Sequence, residues 1–264
     1  MSETSTILAE TCNRIFSNLI TNETLRESEL GVWPELLWKK IEENGLTFSM
    51  VSENHGGSGI KWIDCFQILY SSGYYSVPVP LVETIICSWF LSQYNKAPPN
   101  GVITLSGDEK PLDLRGSNNS YKVSGVIERV PWGASANYVL AEAHNSKKQV
   151  YVLLDAKKSK NIKDKNVGRE PRDSMVFDNS CPVHVLEIPD SFRFNSLLAY
   201  AALARSVQMS GGISAILDNC IIYSRDREQF GRPLAKFQAI QQQLAILAGE
   251  AAAAKISSQI ACRA

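Results

Sequence analysis

Tyr223-Ser224-Arg225-Asp226-Arg227-Glu228-Gln229-Phe230-Gly231-Arg232-Pro233-Leu234, continuing as Ala235-Lys236-Phe237-Gln238-Ala239-Ile240-Gln241, is the stretch on which the reading of this chain turns. Locally it breaks two long helical patterns. The upstream pattern ends in charged residues, Gly231 permits a left-handed turn, and Pro233 pre-sets the entry to the next helix. The composition is unusual for a connector, with guanidinium groups at Arg225, Arg227 and Arg232, an aromatic at Phe230, and amides at Gln229, Gln238 and Gln241. Guanidinium forks hold phosphate oxygens in pairs, and an aromatic face stacks on a flat ring. Both together suit a nucleotide cofactor that carries a pyrophosphate.

On either side of the break lie long apolar patterns. Leu197, Leu198, Ala201, Leu203, Ala204, Val207, Gly211, Ile213, Ile216, Leu217, Cys220 and Ile221 predict a helix from about Leu197 to Arg225, buried on most sides and capped by Asn195-Ser196. Gly211-Gly212 lets a neighbouring backbone come close. Downstream, Phe237, Ile240, Leu244, Leu247, Ala248 and Ala251 mark a second helix running to the end of the sequence. Two helices cannot cover each other's apolar faces alone, so half of a bundle is expected here, with a large apolar patch left over.

The remainder divides by texture. Residues 1–98 read as an N-terminal α-helical domain. Leu8, Cys12, Ile15, Phe16 and Leu19 recur at helical spacing, Trp33-Pro34-Glu35 opens a second helix that Asn44-Gly45 closes, and two more follow over about 62–73 and 80–94. Leu46 to Gly59 is expected to be extended, running into a Gly56-Gly57-Ser58-Gly59 turn without the lysine ending of a phosphate-binding loop. Pro98-Pro99-Asn100-Gly101 then breaks the chain. Residues 99–190 alternate β-rich runs with turns, as in Val102–Leu105, Tyr121–Val123, Tyr138–Ala141, Val150–Leu154, Ser174–Phe177 and Val183–Leu186, predicting an antiparallel β-sheet or barrel-like domain. The basic run Lys157–Lys165 reads as a solvated loop. Residues 191–264 form the C-terminal helical bundle. The fold class is therefore multidomain α+β.

Composition narrows the partners. With 27 basic and 27 acidic side chains in 264 residues, charge gives no case for nucleic acid or an anionic membrane. No apolar run approaches the ~20 residues of a membrane span, and the first residues show no secretory signal. The 6 cysteines have no paired spacing and read as free thiols in a reducing cytoplasm, and the 3 histidines keep no metal-ligand spacing with them.

Tyr223, Arg227, Gln229, Phe230, Gly231, Pro233, Leu234, Phe237 and Gln238 fall in register with a signature of the acyl-CoA dehydrogenase flavoprotein family, which this chain resembles over essentially its whole length. The resemblance implies that Arg227 and Gln229 hold the pyrophosphate of FAD, with Gln238 beside them. It implies that Phe230 packs near the adenine, and that the site is shared across a homo- or hetero-oligomer. Val130-Pro131-Trp132-Gly133 resembles the family segment that runs along the flavin ring. This makes Val130 and Trp132 cofactor-proximal, although Trp132 also suits a core position at a strand end. Of the other flavin segment only Thr104-Leu105-Ser106 remains, followed by Gly107-Asp108-Glu109, and Ser52 stands where the family's glycine turn has proline.

The activity implied by resemblance is FAD-dependent α,β-dehydrogenation of an acyl-CoA thioester, with electron-transfer flavoprotein as an acceptor. That chemistry requires a carboxylate base with a raised pKa. The usual glutamate belongs to a region the family carries beyond this sequence, and Ser191 to Leu217, its alternative location, holds no Asp or Glu. No catalytic base is assigned; Glu228 and Glu250 are the nearest carboxylates. A second reading is a non-catalytic partner subunit of a heteromeric acyl-CoA dehydrogenase, and a third is a flavin-dependent oxygenase of the same fold.

Overall fold

A computed structural model describes residues 2–107, 110–117, 120–145, 149–187 and 197–263. The expected Asn195-Ser196 cap, Asp108-Glu109 and the turn residues Asn118, Asn119 and Ser146–Lys148 lie outside the described residues. In chain order the helices are α1 (Glu3–Leu19), α2 (Asn22–Glu29), α3 (Glu35–Glu43), α4 (Trp62–Tyr74) and α5 (Leu81–Gln93), then α6 (Leu197–Asp226) and α7 (Gln238–Ala261). Between α5 and α6 come the strands β1 (Ile103–Leu105), β2 (Leu112–Arg115), β3 (Lys122–Pro131), β4 (Tyr138–His144), β5 (Gln149–Asp155), β6 (Lys160–Ile162), β7 (Arg172–Ser180) and β8 (His184–Glu187). Two short strands, β9 (Glu228–Gln229) and β10 (Arg232–Pro233), sit between α6 and α7.

The chain forms two compact units. The first gathers residues 1–21, 60–77 and 202–264. Here α1 is capped by Ser2, whose side chain accepts the Ser5 N–H, and both serines donate to Asp64 at the start of α4. These bonds hold the Asp64 carboxyl below the usual range. Cys12, Ile15 and Phe16 of α1 and Cys65, Phe66, Ile68 and Leu69 of α4 are buried, as the apolar spacing requires. Helices α4 and α6 meet at glycines. A Cβ on Gly73 would lie 1.8 Å from the Gln208 carbonyl oxygen, and one on Gly211 would lie 2.0 Å from that of Tyr70. Farther along, Tyr74 donates to Asp218 at 2.7 Å. Helix α7 joins α6 through a Ser258–Ser210 hydroxyl contact at 3.2 Å.

The second unit comprises residues 22–59 and 78–201. Its sheet has the strand order β6-β7-β3-β2-β4-β5-β8, with β1 paired to β4. The expectation of an antiparallel sheet needs correction, because the sheet is mixed: β4 runs parallel to both β1 and β2, while the other ladders are antiparallel. The reason lies in connectivity. β3 pairs with its predecessor β2 and runs back along it, whereas β4 passes to the far side of β2 and so runs in the direction of β2 and β1. β6 and β8 terminate the path, and no ladder joins them among the described residues. Behind the sheet, α5 buries nearly every residue, consistent with its all-round apolar sequence.

Two local expectations also change. Leu46–Gly59 is not extended: it forms 3-10 turns at Leu46–Phe48 and Glu53–His55. Left-handed Gly45 leads into the first of these turns and left-handed Gly56 closes the second. The amides of Gly56, Gly57, Ser58 and Gly59 all donate to nearby backbone carbonyls, so the glycine turn keeps no N–H group for a phosphate. The basic run over 157–165 contributes the exposed edge strand β6 instead of remaining a loop throughout. Two further elements are β2, whose buried Leu112 and Leu114 alternate with Asp113 and Arg115, and the short polar helix α2.

Candidate functional site

In the first unit, the signature stretch folds into a β-hairpin. β9 and β10 pair with Arg232 opposite Gln229, and the turn between them is Phe230-Gly231, with φ of 52° and 76°. Two successive positive φ values make a type I′ turn, whose first central position favours Asn or Gly. A phenylalanine there sits in a strained backbone region. Its ring is 91% exposed. The hairpin base is closed by Leu234 N–H donating to the Arg227 carbonyl at 2.9 Å, and Gln241 donates from its side chain to the Ala235 carbonyl at 2.8 Å. Arg232 lays its guanidinium 4.1 Å above the centroid of Phe237, and Phe237 meets Phe230 edge to face at 6.3 Å and 76°.

The side chains of Arg225 and Arg227 engage no ion pair or hydrogen bond among the described residues, and both are exposed, as are Gln229 and Gln238. A free guanidinium beside an exposed ring is a donor set that fits a phosphate joined to a flat heterocycle. This unit therefore suits the FAD dinucleotide on its own chemistry, with Arg227 and Phe230 facing outward.

The other candidates belong to the second unit, where folding joins segments far apart in sequence. Thr104 donates its hydroxyl to the Pro131 carbonyl at 2.6 Å, and Ser106 N–H donates to Leu140. Val130 and Thr104 have no exposed surface, and Trp132 retains 7%. In this structure these three side chains act as supports beneath the segment, leaving half-buried Ser106 as the more open group. Trp132 has φ 48°, a left-handed conformation rare for a bulky residue, and Arg129 has φ 55°. The Trp132 turn is held by its N–H donating to Pro171, by the Arg172 guanidinium 6.0 Å from its ring, and by Asp173. Buried at 3% exposure, Asp173 accepts the Ala134 N–H at 2.7 Å and the Asp164 N–H at 3.2 Å. A lone Asp in a β-run carries no sequence signal, so Asp173 was not foreseen.

A separate cleft of about 880 Å³ in the second unit is lined by Lys96, Lys122, Cys181 and His184 among others. Lys122 Nζ donates to Cys181 Sγ at 3.0 Å and holds that thiol below its ordinary range. Burial, with Lys96 adding repulsion, lowers His184. The other thiols differ: burial raises Cys12 to about 12 and Cys262 to about 11, and Cys87 is also pushed up. Among the described residues no group of His, Cys, Asp and Glu could hold a metal ion, and no helix is long and apolar enough to cross a membrane. Glu228 and Glu250 are both exposed.

Residues 193–264 match the family model described as acyl-CoA dehydrogenase, C-terminal domain. Over 258 residues, the chain is 25% identical to the acyl-CoA dehydrogenase IpdE2 of Mycolicibacterium smegmatis, covering 97% of this chain and 75% of that protein. The chain thus resembles acyl-CoA dehydrogenases over nearly its whole length, and its residues 193–264 match their C-terminal domain. Acyl-CoA dehydrogenase FadE27 of Mycobacterium tuberculosis is 24% identical, with 79% of this chain and 61% of that protein covered. The fold agrees with solved structures of the family. A chain of the ChsE4-ChsE5 complex from Mycobacterium tuberculosis superposes with a TM-score of 0.88 at 20% identity, covering 99% of this chain and 78% of that one. Butyryl-CoA dehydrogenase from Megasphaera elsdenii gives 0.85 at 18% identity, covering 99% and 79%. The chain thus spans about three quarters of one curated relative and under two thirds of another. Like those structures, it places helices first, a sheet in the middle and helices last.

Proposed function

We propose that this chain takes part in FAD-dependent α,β-dehydrogenation of an acyl-CoA thioester, with Arg227 and Gln229 holding the pyrophosphate and Phe230 bearing on the adenine. The observation that carries the reading is the preformed hairpin, which displays an unpaired guanidinium and a strained, 91% exposed phenylalanine. Strain of this kind costs about 1–3 kcal/mol and persists where the surroundings over-determine it, commonly at ligand sites. Gln238, which opens α7, lies beside this hairpin and belongs to the same site. Thr104, Ser106, Val130 and Trp132 shape the segment assigned to the flavin ring. FAD, when bound, supplies the hydride acceptor. The chain's own part is to grip the dinucleotide and exclude water from it. Because the hairpin points its binding groups outward, the site is completed by another chain, and a homo- or hetero-oligomer follows. Electron-transfer flavoprotein is the acceptor class that goes with this chemistry.

A second reading is a non-catalytic partner subunit of a heteromeric acyl-CoA dehydrogenase. Two observations favour it: α6 holds no carboxylate from Leu197 to Leu217, and the Thr104 hydroxyl is committed to Pro131. The ChsE4-ChsE5 structure is of a complex, and such an arrangement suits this chain. The visible absorbance of the purified protein separates the two. Bound flavin that bleaches under anaerobic acyl-CoA supports the enzyme reading. Flavin that never bleaches supports the partner reading, and failure to bind FAD in any assembly refutes both. Arg227→Glu should weaken FAD binding by about 1.5–3 kcal/mol, the loss of a charge-assisted contact. An unchanged affinity would remove Arg227 from the site.

A further inference from the structure

Three arginines flank the hairpin, and their residue type alone gives all three the same role as phosphate ligands. Their geometry separates them. Arg227 has no partner among the described residues, whereas Arg232 lies 4.1 Å above the Phe237 ring, within the range of a cation–π contact. Phe237 in turn meets Phe230 edge to face, with its ring steeply inclined at 76°. Phe230 occupies the first central position of a type I′ turn at φ 52°, followed by Gly231 at φ 76°. An exposed ring on a strained turn would otherwise sample many orientations. Here one edge is held by Phe237, and Phe237 is held by Arg232 from across the hairpin.

We infer that Arg232 is a positioning residue: its guanidinium fixes Phe237, Phe237 fixes Phe230, and the resulting ladder presents Phe230 as a rigid platform for the flat ring of a dinucleotide. This rests on the functional reading above and refines it, dividing the arginines into one that holds phosphate, Arg227, and one that holds an aromatic platform, Arg232. The distinction has a physical signature. A phosphate contact is a pair of net charges at the surface and is screened by salt. A variant that empties the platform while keeping every charge, such as Phe237→Leu, therefore weakens binding with the salt dependence unchanged.

The test uses the full chain in its native assembly, comparing Arg232→Gln, Arg232→Lys, Phe237→Leu and Arg227→Gln. Without FAD, hydrogen exchange at the Leu234 amide, which closes the hairpin on the Arg227 carbonyl, reports on the ladder. Arg232→Gln should speed that exchange about two- to five-fold, the equivalent of an exposed cation–π contact. Arg232→Lys should restore part of the protection, and Arg227→Gln should leave it unchanged. With FAD as the probe, titrated at several salt concentrations, Phe237→Leu should weaken binding about two- to ten-fold with the wild-type salt slope, the equivalent of the lost ring contact. Arg227→Gln should weaken it and flatten the slope. Unchanged exchange in Arg232→Gln, or wild-type FAD affinity in Phe237→Leu, would overturn the assignment and make Arg232 a spectator or a phosphate ligand. If the wild type binds no FAD, the functional reading falls and the platform loses its ligand. The exchange result still decides whether Arg232 sets the hairpin.

Discussion

Replacing Gly211 by alanine pits two effects of opposite sign against each other. In a helix interior, alanine is favoured over glycine by about 1 kcal/mol, so propensity alone predicts stabilisation. The structure predicts the reverse. The new Cβ would stand 2.0 Å from the Tyr70 carbonyl oxygen, against 3.4 Å at the near edge of ordinary contact, leaving 1.4 Å to be found by moving a helix. It would also lie 2.8 Å from the Tyr74 nitrogen. Both obstacles are backbone, so no side chain can swing aside. Parting α4 from α6 by even a fraction of that distance forfeits a quarter to a half of each dispersion contact along the seam. Overpacking of this kind costs about 3 kcal/mol or more, and the net loss after propensity is about 2 kcal/mol. Its neighbour is the internal control. A Cβ on Gly212 meets nothing nearer than 3.8 Å, and one on Gly249 in α7 meets nothing within 4 Å. Gly212→Ala and Gly249→Ala should each stabilise by about 0.5–1 kcal/mol. Urea unfolding followed by far-ultraviolet circular dichroism reads all three as shifts in midpoint at constant slope. If Gly211→Ala unfolds at the same midpoint as Gly212→Ala, the close approach of α4 and α6 does not exist and the argument fails.

Other outcomes follow from the second unit. Cys181 should be alkylated by iodoacetamide in the native protein before Cys12, Cys87 and Cys262, because Lys122 lowers its pKa while burial raises theirs. The sign is fixed: the thiolate appears at lower pH than in an ordinary thiol of pKa ≈ 8.5, and Lys122→Met should move the midpoint of the rate–pH profile upward. Peptide mapping that finds Cys12 labelled first would contradict this. Asp173→Ala leaves the Ala134 and Asp164 amides without their acceptor and should destabilise by about 2–4 kcal/mol. Asp173→Asn should recover part of that loss, since its carbonyl oxygen can accept one of the two bonds. A urea midpoint for Asp173→Ala equal to wild type would show that the Trp132 turn does not depend on it.

Much of the architecture could be read from local pattern. The apolar spacing of Cys12, Ile15 and Phe16 placed the buried face of α1, and the short, continuous β-prone apolar run Val150–Leu154, buried throughout, placed β5, because each pattern is dictated by the geometry and burial of its own element. Gly45 and Gly56 marked turns for the same reason. Direction of pairing was not legible. Whether β4 lies parallel or antiparallel to its neighbours depends on where the chain re-enters the sheet, and strand composition says nothing of that. Leu46–Gly59 was misjudged because its polar, β-prone residues fit an isolated strand as well as the two tight turns that its glycines and local backbone bonds close.

The sequence by itself settled the order helices, sheet, helices and the identity of the signature stretch, since both are written in residue types at fixed spacing. Residue type offers Arg225, Arg227 and Arg232 alike as phosphate donors, the family resemblance picks out Arg227, and Thr104 and Trp132 stand as cofactor contacts, with Trp132 suiting a core position as well. Only the tertiary structure set Arg232 over Phe237, left Arg227 unpaired, sealed Thr104 against Pro131 and brought Asp173 beneath the Trp132 turn. The reason is that a side chain's availability depends on what packs against it, and those neighbours come from parts of the chain that local spacing does not connect.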